Sequence, residues 1–415
     1  MRTEVSNTEH VADPGAELSG LEQLYYMLDV NAPTHACVVI EVEGEASIDE
    51  WRAAIAGVVN RSPLLSCRIV RNSAGLLVFE PFSAIPLPFH VSSGDPREWQ
   101  RVMAEELSTR IPLERGPLFR ATLLHGPGRA TLLLSLSHCI VDGRSALALL
   151  RDVLRTLTGE PLGPPSIECS IDSLLVAATA RAWQPPSAPV PAVQPKPTHS
   201  SPEASVHLEA NSFDEQLMAR LRLRAREEGS TVHGALKAAL MRVFGRDAPA
   251  SGSVTSGIDV RPILAPGQEG LRPVISSCTV KLENEGFSFW DFARRIKEVF
   301  RQENRLEAIA ALQTMLGELC AACPTPELIH EHLIRKSEGT EILLTNLGVL
   351  SIPLSYGAGS IKLKSFWASM HPSFQNGHFL CCATVDGRMQ MLYTAYRPLP
   401  DLFSKLQAEL QAAVL

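Results

Sequence analysis

The groups best suited to chemistry lie in seven consecutive residues, Ser137-His138-Cys139-Ile140-Val141-Asp142-Gly143. A neutral imidazole near pH 7 can take a proton from a hydroxyl or an amine. The deprotonated acceptor can then attack an activated acyl carbonyl, with no covalent enzyme intermediate. Asp142, four residues after His138, need not touch the ring. A buried carboxylate demands a cationic or hydrogen-bonded partner. Arg261, which follows Gly257-Ile258-Asp259-Val260, is the candidate. Such a pair would tie the two halves of the chain together and fix the loop that aims His138. Gly143 allows a tight backbone turn. The bare pattern also has a plain alternative, a histidine that is merely a satisfied loop residue.

Two elements must hold this loop. The apolar run 131–136 leads in and reads as a buried strand. The run 145–157 leads out as an amphipathic helix, with Leu147, Leu150, Leu154 and Leu157 on one face and Arg151, Asp152 and Arg155 on the other. Loops framed by rigid elements are where function concentrates. Upstream, 19–27 reads as a helix and 35–43 as a strand. Ser47 and Glu50 form a capping box that opens a helix to about 59. Hairpins are expected over 64–80 and over 119–137, with a helix at 96–108 between them.

The proline-rich stretch 184–202, preceded by a short helix at 171–183, cannot form a regular helix or inner strand and reads as a semi-stiff linker. The chain therefore divides into a frayed tail (1–15), a first subdomain (16–183), a linker (184–204) and a second subdomain (205–415). In the second, 206–209 reads as a strand, and Ser212 with Glu215 as the capping box of a helix to 228. Thr231 caps a helix at 232–244 that is apolar nearly all round and therefore buried. Strands follow at 253–259, 274–282, 341–345, 361–368, 378–384 and 389–396. Helices fill 288–303, 306–336 and 399–414, and Asp386-Gly387 is a hairpin turn. Mixed sheets carrying helices, in two halves, indicate an α+β class, an α/β sandwich.

Composition narrows the function. A chain of 415 residues with 45% hydrophobic residues can build two substantial cores. A net charge of −7 supplies no basic field for nucleic acid. No apolar run reaches the roughly 18 residues of a membrane span, and the polar start of the chain resembles neither a signal nor a transit peptide. The nine scattered cysteines suit reduced thiols, so a cytoplasmic protein is expected. Cys320, Cys323, His330 and His332 could be read as a zinc set, but their spacing is irregular, so small buried thiols at a helix end are preferred and no metal is expected. Arg220, Arg222, Arg224 and Arg226 could receive a coenzyme A phosphate or an acidic carrier protein, or form a solvated face. His371 could face the reacting groups or cap a strand. His233 should pack inside its buried helix, and Cys139 should point away from His138. Phe366, Trp367 and Phe374 could line an acyl pocket or simply fill the core.

The stretch SLSHCIVDGRSALALLRDVL resembles the HHxxxDG signature of the condensation-domain and chloramphenicol-acetyltransferase-like acyltransferases. NRSPLLSCRIV, GSTVHGALKAALMRVF and SGIDVRPIL resemble further segments of that superfamily, in the same order. Thr345-Asn346-Leu347-Gly348 resembles the S-N-x-G turn of its bacterial polyketide-associated and alcohol acyltransferase members. Ser137 replaces the first histidine of the signature, and the D-F-G-W-G motif of the plant branch is absent.

The resemblance implies two chloramphenicol-acetyltransferase-like subdomains arranged as a V around a central tunnel. A thioester donor, on coenzyme A or on a carrier protein's phosphopantetheine arm, would enter from one face and the acceptor from the other. No cofactor would be bound. His138 would be the general base and Asp142 a structural partner of Arg261. Gly143 would allow backbone near the reacting centre, with Thr345 and Asn346, and less directly His371, near the substrates. A monomer is the default. The function expected is acyl transfer to a hydroxyl, forming an ester in natural-product or lipid assembly. The alternatives are a stand-alone condensation enzyme forming an amide between carrier-bound partners, and a non-catalytic docking module.

Overall fold

The apolar and alternating runs form strands that pair edge to edge through backbone hydrogen bonds into two six-stranded sheets and a two-stranded ribbon. The computed structural model describes residues 16–81, 86–163, 168–186, 206–247, 252–281, 286–323, 325–336, 340–372 and 377–415. The tail 1–15, all but the first three residues of the linker 184–204, and Phe374 lie outside the described residues. In chain order the strands are β1 (Ala36–Gly44), β2 (Cys67–Arg71), β3 (Leu77–Pro81), β4 (Phe89–Ser92), β5 (Phe119–Gly126), β6 (Arg129–Leu136), β7 (His207–Phe213), β8 (Gly252–Asp259), β9 (Ile275–Lys281), β10 (Thr340–Val349), β11 (Ser355–Tyr356), β12 (Ile361–Met370), β13 (Gly377–Val385) and β14 (Arg388–Ala395). The helices are α1 (Gly20–Asn31), α2 (Ile48–Arg61), α3 (Trp99–Ser108), α4 (Gly143–Leu157), α5 (Ile171–Ala178), α6 (Glu215–Glu227), α7 (Val232–Asp247), α8 (Arg261–Leu264), α9 (Phe289–Glu303), α10 (Leu306–Ala322), α11 (Pro326–Lys336) and α12 (Leu402–Ala413).

The first sheet runs β11-β12-β1-β6-β5-β4 and the second β7-β14-β13-β10-β8-β9. The sheets do not follow the halves of the chain. β12, from the second half, pairs antiparallel with β1 from Ala36↔Met370 to Gly44↔Ile361. Periodicity marks β12 as a strand but carries no information about which sheet receives it. Trp367 on β12 stacks on Trp99 of α3, with centroids 5.4 Å apart, and donates to Glu41. Phe366 is buried in the core of the first sheet. Both residues are therefore committed to packing.

Register places the ends of the strands. Ala36 faces Leu136 across the β1–β6 pair, so β6 delivers His138 to the edge where β1 begins. In the second sheet, β10 runs parallel to β8 with Leu344 opposite Ser256. The C-terminal ends of β8 and β10 therefore emerge on one edge, carrying Arg261 and Thr345–Gly348. Behind the motif, α4 buries Ala146, Leu147, Leu150, Val153 and Leu154; each large aliphatic side chain contributes about 1.5–3 kcal/mol on burial.

Two local expectations change. The second-half helix expected to be capped by Ser212 is capped instead by Asp214, whose carboxylate accepts the Leu217 N–H at 2.7 Å. Ser212 is held in β7 by its pairing with Gln390. Gly143 is not a turn with left-handed backbone; it is the first residue of α4.

Candidate active site

Asp142 is the N-cap of α4. Its Oδ1 accepts the N–H groups of Arg144 (3.0 Å) and Ser145 (2.9 Å), and the Ser145 hydroxyl donates to the same oxygen at 2.8 Å. These bonds satisfy donors that a helix start leaves open. The second oxygen, Oδ2, faces the other half of the chain. It meets Arg261 Nη1 at 2.8 Å and accepts the Val274 N–H at 2.9 Å. Burial alone would raise the Asp142 carboxyl, but the Arg261 guanidinium and the N–H groups of Ser145 and Val274 hold it below the usual carboxylate range. Arg261 also reaches Asp259 and donates to the Arg272 carbonyl at 3.1 Å.

With Asp142 turned toward Arg261, His138 is left on the other side of the loop. The residue is partly exposed. Nδ1 is enclosed and has no hydrogen-bond partner among the described residues, which leaves Nε2 as the nitrogen available to a reacting group. Burial depresses the imidazole below its ordinary range; Asp142 and the carbonyls of Val141 and His138 itself oppose this only in part. The ring is therefore neutral at pH 7. Tyr25 of α1 lies against it, with centroids 4.5 Å apart and planes 19° from parallel. The Cys139 thiol is buried and donates to the Glu22 carbonyl at 3.6 Å, and burial pushes it well up.

Gly143 has a packing reason to be glycine. A Cβ there would stand 2.6 Å from Leu347 Cδ2. That contact brings the Thr345-Asn346-Leu347-Gly348 turn onto the start of α4. Within the turn, the Asn346 side chain accepts the Gly348 N–H at 2.9 Å, and Gly348 has φ +70. Asn346 thus builds the turn, while the half-buried Thr345 side chain makes no hydrogen bond among the described residues. A cavity of about 390 Å³ opens on the Arg261 side of the loop, lined by Arg144, Arg151, Asp259, Arg261, Glu269 and Ser351 among others; His138 does not line it.

His371 leaves the first sheet at the same end as His138, since Ala36 pairs with Met370 on one side and with Leu136 on the other. It follows β12, two strands across the sheet from β6, and its Nε2 meets the Tyr396 hydroxyl at 2.5 Å. Burial and the nearby Arg110 push it down to about 4. His233 packs edge-on against Phe300. Arg224 pairs with Glu227 and Glu228, whereas Arg220, Arg222 and Arg226 are exposed. Cys320 donates to the Gly20 carbonyl, and among the described residues no group of three His, Cys, Asp or Glu is placed to hold a metal. The side chain of His330 is outside the described residues. No described helix is long and apolar enough to cross a membrane.

Sequence reasoning missed Tyr25, the Val274 N–H and the Glu22–Arg272 ion pair. Glu22 carried a readable signal, as the third helical residue after Ser19 in a capping box. Tyr25 and Arg272 carried none, because each acts through a contact more than 100 residues away.

Among solved structures the chain superposes on polyketide synthase associated protein 5 of Mycobacterium tuberculosis with a TM-score of 0.69 at 16% identity, covering 97% of this chain and 99% of that one. The first condensation domain of the CDA synthetase gives 0.66 at 14% identity over 97% of both chains. A trichothecene 15-O-acetyltransferase of Fusarium sporotrichioides gives 0.65 at 12% identity over 96% and 95%. The fold is that of the condensation domains and chloramphenicol-acetyltransferase-like acyltransferases. Within this condensation-domain-like fold, sequence similarity extends to much larger proteins. A nonribosomal peptide synthetase of Metarhizium robertsii is 28% identical over 174 residues, 40% of this chain and 2% of the relative. A linear gramicidin synthase polypeptide of Brevibacillus parabrevis is 24% identical over 270 residues, 56% of this chain and 3% of the relative. The chain thus spans a few per cent of the length of these curated relatives. No family model matches it.

Proposed function

We propose that the protein is an acyltransferase that moves an acyl group from a thioester to a hydroxyl, with His138 as general base. The observation that carries this reading is a partly exposed histidine, its imidazole kept neutral by burial, in the loop between β6 and α4 that the Asp142–Arg261 pair holds. Nε2 would take the proton of the acceptor hydroxyl as its oxygen attacks the thioester carbonyl. Collapse of the tetrahedral intermediate would expel the thiolate, which recovers the proton from the imidazolium. One C–O bond forms, one C–S bond breaks, and the products are an ester and a free thiol. Asp142 and Arg261 hold the loop and do not touch the reactants. Thr345, with its hydroxyl uncommitted, is the candidate for a polar contact to substrate.

The donor would be an acyl group on coenzyme A or on a carrier protein's phosphopantetheine arm, reaching His138 by a passage between the two sheets. Support comes from the Thr345-Asn346-Leu347-Gly348 turn and from the O-acetyltransferase among the structural neighbours. The second reading, amide formation between carrier-bound partners, draws on the similarity to peptide synthetases and to a condensation domain. Thiol release and product mass, measured with a panel of acyl thioesters against alcohol and amine acceptors, separate the two. Ester formation supports the first, amide formation replaces it with the second, and the absence of acceptor-dependent thiol release across the panel rejects both.

A further inference from the structure

Arg272 lies between α8 and β9, outside the histidine motif and the Arg261 segment, yet it reaches the catalytic framework through both its side chain and its backbone. Its guanidinium forms a two-pronged pair with Glu22 of α1, at 2.7 Å (Nε to Oε1) and 2.6 Å (Nη2 to Oε2). Nη2 also donates to the Glu17 carbonyl at 3.0 Å, and the group sits 5.2 Å over the ring of Phe79. Both partners are buried, Arg272 at 4% and Glu22 at 0% exposure. The backbone of the same residue faces the motif. The Arg272 N–H donates to the carbonyl of Ile140, two residues after His138, and its carbonyl accepts Arg261. Two residues further on, the Val274 N–H donates to Asp142.

The other end of the pair also leads to the imidazole. Glu22 and Tyr25 are three residues apart on α1 and so share a face. Tyr25 lies on His138, and the Glu22 carbonyl accepts the thiol of Cys139. Arg272 has φ +81, a conformation that a residue with a side chain rarely adopts and that persists only where its surroundings over-determine it. The bidentate pair supplies that anchor.

We infer that the Glu22–Arg272 pair is a positioning device for His138, locking the helix that covers the ring to the loop that carries it. This rests on His138 being the general base. A pair that served only to join the two halves of the chain would affect stability and leave the imidazole unchanged.

The test uses the full chain with two variants. Glu22→Gln/Arg272→Met removes both charges together, so that neither is stranded in the core. Arg272→Lys keeps the charge but loses the planar fork. The titration of His138 is followed by NMR of its ring protons, which needs no substrate. In the wild type, burial of the ring should put the midpoint below the ordinary range. In the double variant it should rise toward that range as the ring loosens into water, while kcat falls at least tenfold and KM stays within threefold. Arg272→Lys should move both readouts the same way by less, and it decides the matter if the double variant does not fold. A folded variant whose His138 titrates as in the wild type overturns the inference. Absence of transferase activity in the wild type would instead defeat the proposed function, and the titration would still report on the pair.

Discussion

Tyr25 lies flat against His138, their ring centroids 4.5 Å apart, although 113 positions separate them in the chain. Among the described residues the imidazole gains no hydrogen bond at Nδ1 to fix its plane. The stacked ring, on a helix whose start is fixed by the Ser19–Glu22 capping box, is a contact that restrains its rotation. Burial, reinforced by the negative charge of Asp142, also pushes the Tyr25 hydroxyl up, so it stays protonated at any working pH.

Aromatic pairs of this kind contribute about 0.5–1.5 kcal/mol beyond their buried area. Tyr25→Leu should therefore lower kcat by about three- to tenfold, whereas Tyr25→Phe keeps the ring and should stay within twofold of the wild type. Steady-state kinetics of the two variants check this. An equal loss in both would assign the effect to the hydroxyl.

The Asp142–Arg261 pair should matter to folding before chemistry. Removing one member of a buried pair costs about 3–5 kcal/mol, because the other charge is stranded. Arg261→Met should therefore lower the melting temperature sharply, and Asp142→Asn/Arg261→Met should recover part of the loss. The Asp142 carboxyl is depressed in the folded state, so its stabilising contribution is present above the ordinary carboxylate range and is lost as pH falls through the depressed value. Melting curves between pH 3 and pH 7 read this; an unchanged profile in a soluble Arg261→Met variant would contradict it.

The same joint carries surplus acid. Glu168 and Asp172 lie within range of Arg272, and burial pushes them up to about 7 and about 6. A carboxyl raised in the folded state holds a proton that the unfolded chain releases, so stability falls as pH rises from the ordinary value toward the raised one. Glu168→Gln should remove the Glu168 share of that slope, which dominates above pH 6, and leave the variant more stable than the wild type at pH 8 by about 1–3 kcal/mol. Thermal unfolding from pH 5 to pH 8.5 checks it, and parallel curves for the two proteins would refute it.

Much of this arrangement is legible in the sequence. The β6–loop–α4 frame follows from an apolar run and a leucine stripe, both local signals, whereas the cap that Asp142 places on α4 is seen only in the fold. Arg261 can be named as a partner because a buried carboxylate requires one and SGIDVRPIL resembles the superfamily's arginine strand. What stays hidden depends on contacts far along the chain. The apolar pattern of β12 specifies a strand and not its place beside β1. Gly143 reads as a turn residue, whereas in the fold it starts α4 against the side chain of Leu347, which a Cβ would push aside. Arg272 is one arginine among many until its backbone is seen against Ile140. His371 illustrates the converse, a histidine of suitable chemistry that is occupied by Tyr396.

The most direct measurement is acceptor-dependent thiol release from an acyl thioester by His138→Ala beside the wild type, with melting temperatures recorded for both. Loss of a general base should slow turnover by about two to four orders of magnitude while the melting temperature moves by no more than a few degrees. A folded His138→Ala protein that turns over near the wild-type rate would contradict the role assigned to this imidazole.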